Sequence, residues 1–497
     1  MATSGIHSSY PEYAGTSSLD TIRETEYGHL DAHDHVYLDY TGSGLASQWQ
    51  YQQHSSRLQG GVFGNPHSAS PASEAATVLV DETRRRVLRH LNASPAEYTV
   101  IFTQNATAAA RLVGEAYPFS RRARLVLTAD NHNSINGLRE FARARHARTT
   151  YVPVRAPELR VDGADVVASL PKRARLRDFF CGLSPSSRKG GQKESNGLFA
   201  YPAQSNFSGV RHPLSWVGLA QERGYDVLLD AAAYLPTGTG LDLSIIKPEF
   251  VTVSWYKVFG YPTGVGCLIA RRDALERLSA AGRPWFSGGT VHAAAVGADF
   301  HKMAPGGDGF EDGTLNFLAI PDVATGLDWI AKVGPSLIET RVKCLTGWFL
   351  ERLLALRHSD GFPMAVVYGP TDSKSRGGTV SFNLVDAGGK VVDERLVALE
   401  SAAAMISLRT GCFCNPGVGE AAFGLDTSIL KRRFEKQPPV SLDRYLDALG
   451  MPSGGAIRVS FGIASTAKDV DRFFGFVEKT YKDRITTSVG LPPRGHC

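Results

Sequence analysis

A lysine placed at the end of an apolar strand carries the first chemical signal in this chain. Val251 to Gly266 reads VTVSWYKVFGYPTGVG: the apolar run stops at Ser254, Lys257 follows among aromatic residues, and glycines then turn the chain. Kept from bulk water, such a lysine favours its neutral amine, the form that makes a Schiff base. Its plainer reading is a capped or snorkelling lysine. Upstream, Val227 to Tyr234 reads VLLDAAAY, a strand ending in Asp230 before three alanines that admit a flat ring against the backbone. A carboxylate there either pairs with the protonated ring nitrogen of a bound pyridoxal phosphate or caps a helix. Phe102 to Ala110 (FTQNATAAA) joins a strand to an alanine-rich helix. The amides around Asn105, Ala106 and Thr107, with the Thr107 hydroxyl, suit a phosphate, although alone the segment is a capped helix. His132, in DNHNS after the next strand, lies over such a ring or serves as a hydrogen-bonded loop histidine.

Strand ends must bring these residues together. From Tyr98 the chain alternates β-branched runs with helical patterns: Tyr98 to Phe102, Leu125 to Thr128, Thr149 to Val154, Leu198 to Tyr201, Val227 to Asp230, Val251 to Ser254 and Gly266 to Ala270. That alternation predicts βαβ units and a mostly parallel sheet buried on both faces. Leu183 to Gly197 is polar and aperiodic and reads as a surface insertion. After Ile320 the pattern changes to a long helix through about Ala355, strands at Thr379 to Leu384, Ile406 to Arg409 and Ile457 to Phe461, and helices ending near Lys482. The Gly-rich stretch from Pro305 to Gly313 marks the approach to this part. The implied organisation is an N-terminal segment (1–45), a large α/β domain (46–317) and a smaller α+β domain (318–497).

Composition removes several function classes. A chain of 497 residues, 43% hydrophobic and 21% charged, is too large for one core and too apolar for disorder. Its formal charge of +5 arises from 54 basic and 49 acidic residues, scattered apart from runs such as Arg84 to Arg86 and Lys172 to Arg177, which argues against nucleic-acid binding. No apolar stretch has the roughly 18 residues of a membrane span, and Met1 to Asp20 lacks the basic and apolar regions of a secretory signal. Six cysteines are too few for a disulfide scaffold and fit a reducing cytoplasm. Cys412 and Cys414 form a C-x-C with no second cluster to complete a metal site.

As an ordered set, nine segments carry a resemblance: YLDYTGSGL (Tyr37 to Leu45), GNPHS (Gly64 to Ser68), DNHNS, FAYPAQSNFSG (Phe199 to Gly209), SWYKVFGYPTGVG, FSGGTV (Phe286 to Val291), FEDGT (Phe310 to Thr314), LRTGCFCNPG (Leu408 to Gly417) and IRVSFG (Ile457 to Gly462). From about Tyr37 to Tyr481 the chain resembles class V aminotransferase-fold enzymes that use pyridoxal 5'-phosphate (PLP). Within them it is most similar to the cysteine desulfurase-like N-terminal domain of the molybdenum cofactor sulfurases. The resemblance implies PLP-dependent transferase fold type I, with a mostly parallel seven-stranded sheet and a smaller α+β C-terminal domain. It implies that Lys257 forms the Schiff base, Asp230 pairs with the pyridine nitrogen and His132 stacks on the ring. Ala106, Thr107 and Ser254 would hold the phosphate, with Thr290 reaching it from the second subunit of a homodimer. Asn206 would bond the ring hydroxyl or the substrate. Arg458, with Arg409 as a further candidate, would grip the substrate carboxylate. In the pattern R-T-G-x-x-C, Cys414 would take the sulfur, its thiolate favoured by the charge of Arg409, with Cys412 assisting or passive. Cys181, Cys267 and Cys344 read as packing residues.

The implied activity is conversion of L-cysteine to L-alanine with a persulfide on Cys414, passed to the molybdenum cofactor or a carrier protein. Full-length sulfurases carry a further C-terminal domain that binds the molybdenum cofactor, whereas this chain ends at Cys497, so a stand-alone desulfurase is expected. Tyr40 stands where histidine is frequent, Ala233 where many desulfurases carry glutamine, and Gly419 where these sulfurases have another cysteine. Two other readings remain. One is a PLP lyase or carbon–carbon bond-forming enzyme acting on another amino acid, for which lysis and elimination would not need Cys414. The other is a non-catalytic scaffold, against which the set Lys257, Asp230, His132 and Arg458 argues.

Overall fold

The computed structural model describes residues 3–66, 68–172, 195–283, 285–425 and 453–494, with isolated positions between 426 and 452. His67, Cys181, Cys497 and residues 183–194 of the polar insertion lie outside the described residues. All seven core strands form where the sequence predicts them: β1 (Tyr98–Thr103), β2 (Arg124–Thr128), β3 (Thr149–Val152), β4 (Gly197–Pro202), β5 (Tyr225–Asp230), β6 (Phe250–Ser254) and β7 (Gly266–Arg271). They build one sheet in the order β1-β7-β6-β5-β4-β2-β3, parallel except for β7, which runs antiparallel to both neighbours.

Alternate residues of these strands enter two different cores. Val100, Phe102, Val227, Leu229, Val251 and Val253 pack on one side of the sheet. Ile101, Leu125, Leu127, Leu198, Leu228 and Leu268 pack on the other. Burial on both faces is why the strands read as unbroken apolar runs rather than alternating ones.

The second sheet is antiparallel, in the order β8-β9-β11-β10, with β8 (Ala365–Tyr368), β9 (Thr379–Leu384), β10 (Arg409–Gly411) and β11 (Ala456–Ser460). Three expectations need correction here. The single long helix after Ile320 is two, Ile320–Val333 and Pro335–Ala355, because Gly334 takes a left-handed φ of 98° immediately before a proline. Ile406 to Arg409 is not one strand: Ile406–Ser407 pairs with Val36–Tyr37, and Arg409–Gly411 pairs with β11. The region before Pro305 holds an unforeseen hairpin, Val291–Ala295 with Phe300–Met303.

The N-terminal residues are built into the body. Arg341, fully buried in the helix Pro335–Ala355, donates to the Thr16 hydroxyl (2.6 Å), the Thr16 carbonyl (2.6 Å), Asp20 (2.7 Å) and the Ser465 carbonyl (3.3 Å). Asp39 then forms a parallel bridge with Ser460 at the end of β11. Gly44 N–H donates to the Tyr256 carbonyl at 3.0 Å, laying this segment on the turn that carries Lys257. At Gly260, with φ 78°, a Cβ would stand 2.2 Å from Ala46 N, so only glycine closes that turn. Among the described residues no helix is long and apolar enough to cross a membrane.

Candidate active site

The parallel strands end along one edge of the sheet, and a cavity of about 300 Å³ opens there. Ala106, Thr107, His132, Asn206, Asp230, Ser254 and Lys257 all line it, brought from four strand ends and one loop. A second cavity of about 380 Å³, bordered by Tyr117, Asp226 and Arg277, contains none of the residues singled out in the sequence.

Each side chain has a local cause for its position. Lys257 sits on the short helix Trp255–Phe259 directly after β6 and makes no hydrogen bond or ion pair among the described residues. Burial holds its amine below the usual lysine range; Asp230 opposes this, Arg458 and Arg409 reinforce it, and Cys414 opposes it. Asp230, 8% exposed at the end of β5, accepts through Oδ1 from Ala232 N–H (3.0 Å) and Thr252 Oγ1 (3.1 Å). Its Oδ2 is not hydrogen-bonded among the described residues.

At the start of helix Ala106–Ala116, Asn105 is the N-cap and accepts from Ala108 N–H at 3.0 Å, while Ala106 N–H donates to Ser254 Oγ at 2.9 Å. Among the described residues Thr107 N–H is left over from the first turn. Gly266 makes this approach possible, since a Cβ there would lie 2.6 Å from the Asn105 backbone.

His132 caps the short helix Asn133–Asn136, and its Nδ1 accepts from Ser134 N–H at 3.1 Å. The neutral ring therefore carries its proton on Nε2. Ser134 Oγ lies 2.9 Å from Nδ1 and 2.7 Å from Thr107 Oγ1, a hydroxyl chain that sequence reasoning missed. Burial pushes the His132 pKa down to about 4, with the Lys257 charge acting the same way and Asp230 against it. The unfolded chain binds this proton near pH 6.5, so stability rises with pH between about 4 and 6.5 and is lost on acidification through that window. We expect urea unfolding of His132→Asn to flatten that slope, by roughly 2–3 kcal/mol across the window. An unchanged slope would mean that His132 is protonated in the folded protein.

Cys414 occupies the loop between β10 and the helix Pro416–Ala422 and is a free, partly exposed thiol. Phe413 and Cys414 are both left-handed, with φ 55° and 53°. Four polar contacts pin this strained loop. Asn206 Nδ2 donates to the Phe413 carbonyl (2.8 Å), Asn133 N–H donates to the Cys414 carbonyl (2.7 Å), and Asn415 Nδ2 donates to Asn206 Oδ1 (2.9 Å) and to the Asp130 carbonyl (2.8 Å). Asn206, expected on a cofactor or substrate, thus spends both ends of its amide on the cysteine loop. Cys412 is disulfide-bonded, and Cys267 and Cys344 are buried with their thiol pKa values raised by burial.

The remaining predicted residues do not line the cavity. Arg458, 3% exposed, donates through Nη1 to the Asn206 carbonyl and through Nη2 to Asp39, each at 3.0 Å, and lies 4.7 Å from the Phe413 ring centroid. Arg409 is half-exposed, and its Nε and Nη2 both bind the Asp39 carboxylate at 2.9 and 2.6 Å. The charge expected to act on Cys414 is therefore paired with Asp39. Thr290 is buried against Ser287, at the base of the exposed hairpin. Asp39 and Asn415 were missed, although both stand in segments noted for their resemblance: a tyrosine-rich strand end and an N-P-G turn gave no chemical cue of their own.

The model of the family aminotransferase class V matches residues 36–176 and 189–473. The chain is 36% identical over 506 residues to the molybdenum cofactor sulfurase of Solanum lycopersicum, covering 98% of this chain and 60% of that protein. With the molybdenum cofactor sulfurase of Homo sapiens it shares 33% identity over 505 residues, 97% of this chain and 53% of the human protein. It thus spans little more than half the length of these curated relatives. Among solved structures, the apo cysteine desulfurase of Thermococcus onnurineus NA1 superposes with a TM-score of 0.70 at 21% identity, over 93% of this chain and 97% of that one. A cysteine desulfurase from Escherichia coli, in an S-sulfonic acid form, gives 0.67 at 20% identity, over 93% and 98%. Both share the fold described above.

Proposed function

Because this chain belongs to the aminotransferase class V family, we propose that it is a PLP-dependent, cysteine desulfurase-like sulfurtransferase. The observation that carries the reading is a free thiol, Cys414, on a strained loop that is hydrogen-bonded to Asn206 of the same cavity that buried Lys257 lines.

The donors left over at the cavity fit the cofactor. Thr107 N–H suits a phosphate, together with the Ser254 hydroxyl, whose own proton is not used in accepting from Ala106 N–H, and the Thr107 hydroxyl where it turns from Ser134. The free Oδ2 of buried Asp230 suits a protonated ring nitrogen, and the three alanines after it leave room for a flat ring. When bound, PLP supplies an aldehyde for the amine and an electron sink.

This chain's residues do the rest. Lys257, whose amine burial holds below the usual lysine range, receives and returns the Cα proton of the substrate. His132 covers the site as a neutral ring with Nε2–H available to donate. Arg458 holds the substrate carboxylate. The Cys414 thiolate takes the substrate sulfur: an S–S bond forms as the Cβ–S bond breaks, the electron pair leaves with carbon, and a proton completes alanine. The persulfide passes to an acceptor, for which the molybdenum cofactor named for the relatives is the candidate. We assign residues 46–317 to a large cofactor-binding domain and 318–497 to a small domain bearing Cys414 and Arg458. Thr290, beneath a hairpin with exposed Val296 and Phe300, would serve the site of a second copy.

The test is incubation of the PLP-loaded protein with L-cysteine, with alanine measured by chromatography and Cys414 persulfide by mass spectrometry. Both are expected in the wild type. Cys414→Ser should lose the persulfide entirely and alanine formation by at least ~100-fold. Turnover indifferent to the substitution would instead mark a lyase.

A further inference from the structure

The Arg458 cluster holds more positive than negative charge. Asp39 is 7% exposed and takes hydrogen bonds from both Arg458 and Arg409. Two guanidiniums share one carboxylate, leaving a net charge of one, and among the described residues Arg458 Nε is buried without a hydrogen-bond partner. A buried guanidinium such as Arg458, which shares its only carboxylate with a second arginine, is stabilised by one further monoanion. Asp39 is itself fixed, because Thr41 N–H donates to Ser460 Oγ at 2.9 Å and Ser460 N–H donates to the Leu38 carbonyl at 2.8 Å. Arg458 stands on the same strand, two residues before Ser460.

We propose that Asp39 is a positioning residue for recognition of an α-carboxylate: it holds Arg458 and Arg409 together so that their surplus charge meets the carboxylate of an amino-acid substrate. The proposal rests on the reading of Arg458 as the carboxylate partner. It adds that the anchor is the Asp39 side chain, on the N-terminal segment. Asp39 touches neither the cavity nor the reacting atoms and acts through the two arginines. Through Arg409, the first residue of β10, it also ties the strand that leads into the Cys414 loop to Arg458 on β11.

The test uses the PLP-loaded protein and two amines that differ only by a carboxylate, L-alanine and ethylamine, with Kd read from the change in cofactor absorbance. Wild type should bind L-alanine more tightly. In Asp39→Asn the L-alanine Kd should rise by about 10-fold or more while ethylamine is unchanged, and KM for L-cysteine should rise more than kcat falls. Arg409→Gln, at a half-exposed site, should raise the L-alanine Kd by roughly 3-fold. The double variant should be no worse than Asp39→Asn alone, since both act through one cluster. Asp39→Asn binding L-alanine as tightly as wild type, or more tightly, would overturn the proposal and leave carboxylate binding by Arg458 intact. Wild type treating the two amines alike would overturn both. If L-alanine discrimination depends on Asp39 but L-cysteine yields no alanine, the proposal stands and the desulfurase reading fails.

Discussion

Lys257→Ala is expected to lower alanine formation from L-cysteine by at least ~10³-fold, since it removes both the amine that captures the cofactor and the base that moves the Cα proton. The protein itself should survive the change. Lys257 makes no hydrogen bond or ion pair among the described residues, and burial already works against its charge. Thermal unfolding of the cofactor-free variant should therefore match or exceed that of the wild type. Lys257→Arg separates charge from chemistry: it keeps a cation at the site but offers no neutral amine, so it should be as inactive as alanine and less stable. Either variant within ~10-fold of wild type would remove Lys257 from the reaction.

Arg341→Met should cost about 3–5 kcal/mol of stability, from stranding buried acceptors at about 1–3 kcal/mol each. Most of that loss lies in the carbonyls of Thr16 and Ser465, which are buried with the arginine and would be stranded, whereas the Thr16 hydroxyl keeps its bond to the Tyr13 carbonyl. Asp20, 48% exposed, recovers its solvation when Arg341 goes. Asp20→Asn alone should then cost under about 1 kcal/mol, and denaturant midpoints of the two single variants check the contrast. Equal losses would put the energy in the ion pair instead. Because Arg341 holds the segment that leads to Asp39, its loss should also raise the Kd for L-alanine.

The legible parts of this molecule are those with short-range causes. Strands buried on both faces, such as Val227 to Asp230, declare themselves as apolar runs, and a polar residue where such a run stops, like Asp230 or Lys257, stands at the sheet's edge almost by construction. Seven of the residues singled out share one cavity for that reason. Contacts between distant segments were not legible. Nothing in the neighbourhood of Asn206 says that Asn415 will occupy its amide, and nothing near Arg409 says that its charge will be spent on Asp39. The hairpin at Val291 was missed because its residues are small, exposed and without alternation. The helix break at Gly334 was readable in the Gly-Pro pair, but the apolar periodicity running through it argued for continuity.

The Asp39–Arg458 contact closes a span of 419 residues. During synthesis Asp39 is made early, and its partner appears only when β11 is complete. The strands that frame the cavity are complete in the chain at Arg271, so the cofactor seat is synthesised well before the charge cluster can close. A chain interrupted between β7 and β11 would carry Lys257, Asp230 and the phosphate amides yet have no Arg458 for Asp39. Appearance of the cofactor's colour therefore does not report a finished molecule; discrimination between L-alanine and ethylamine does.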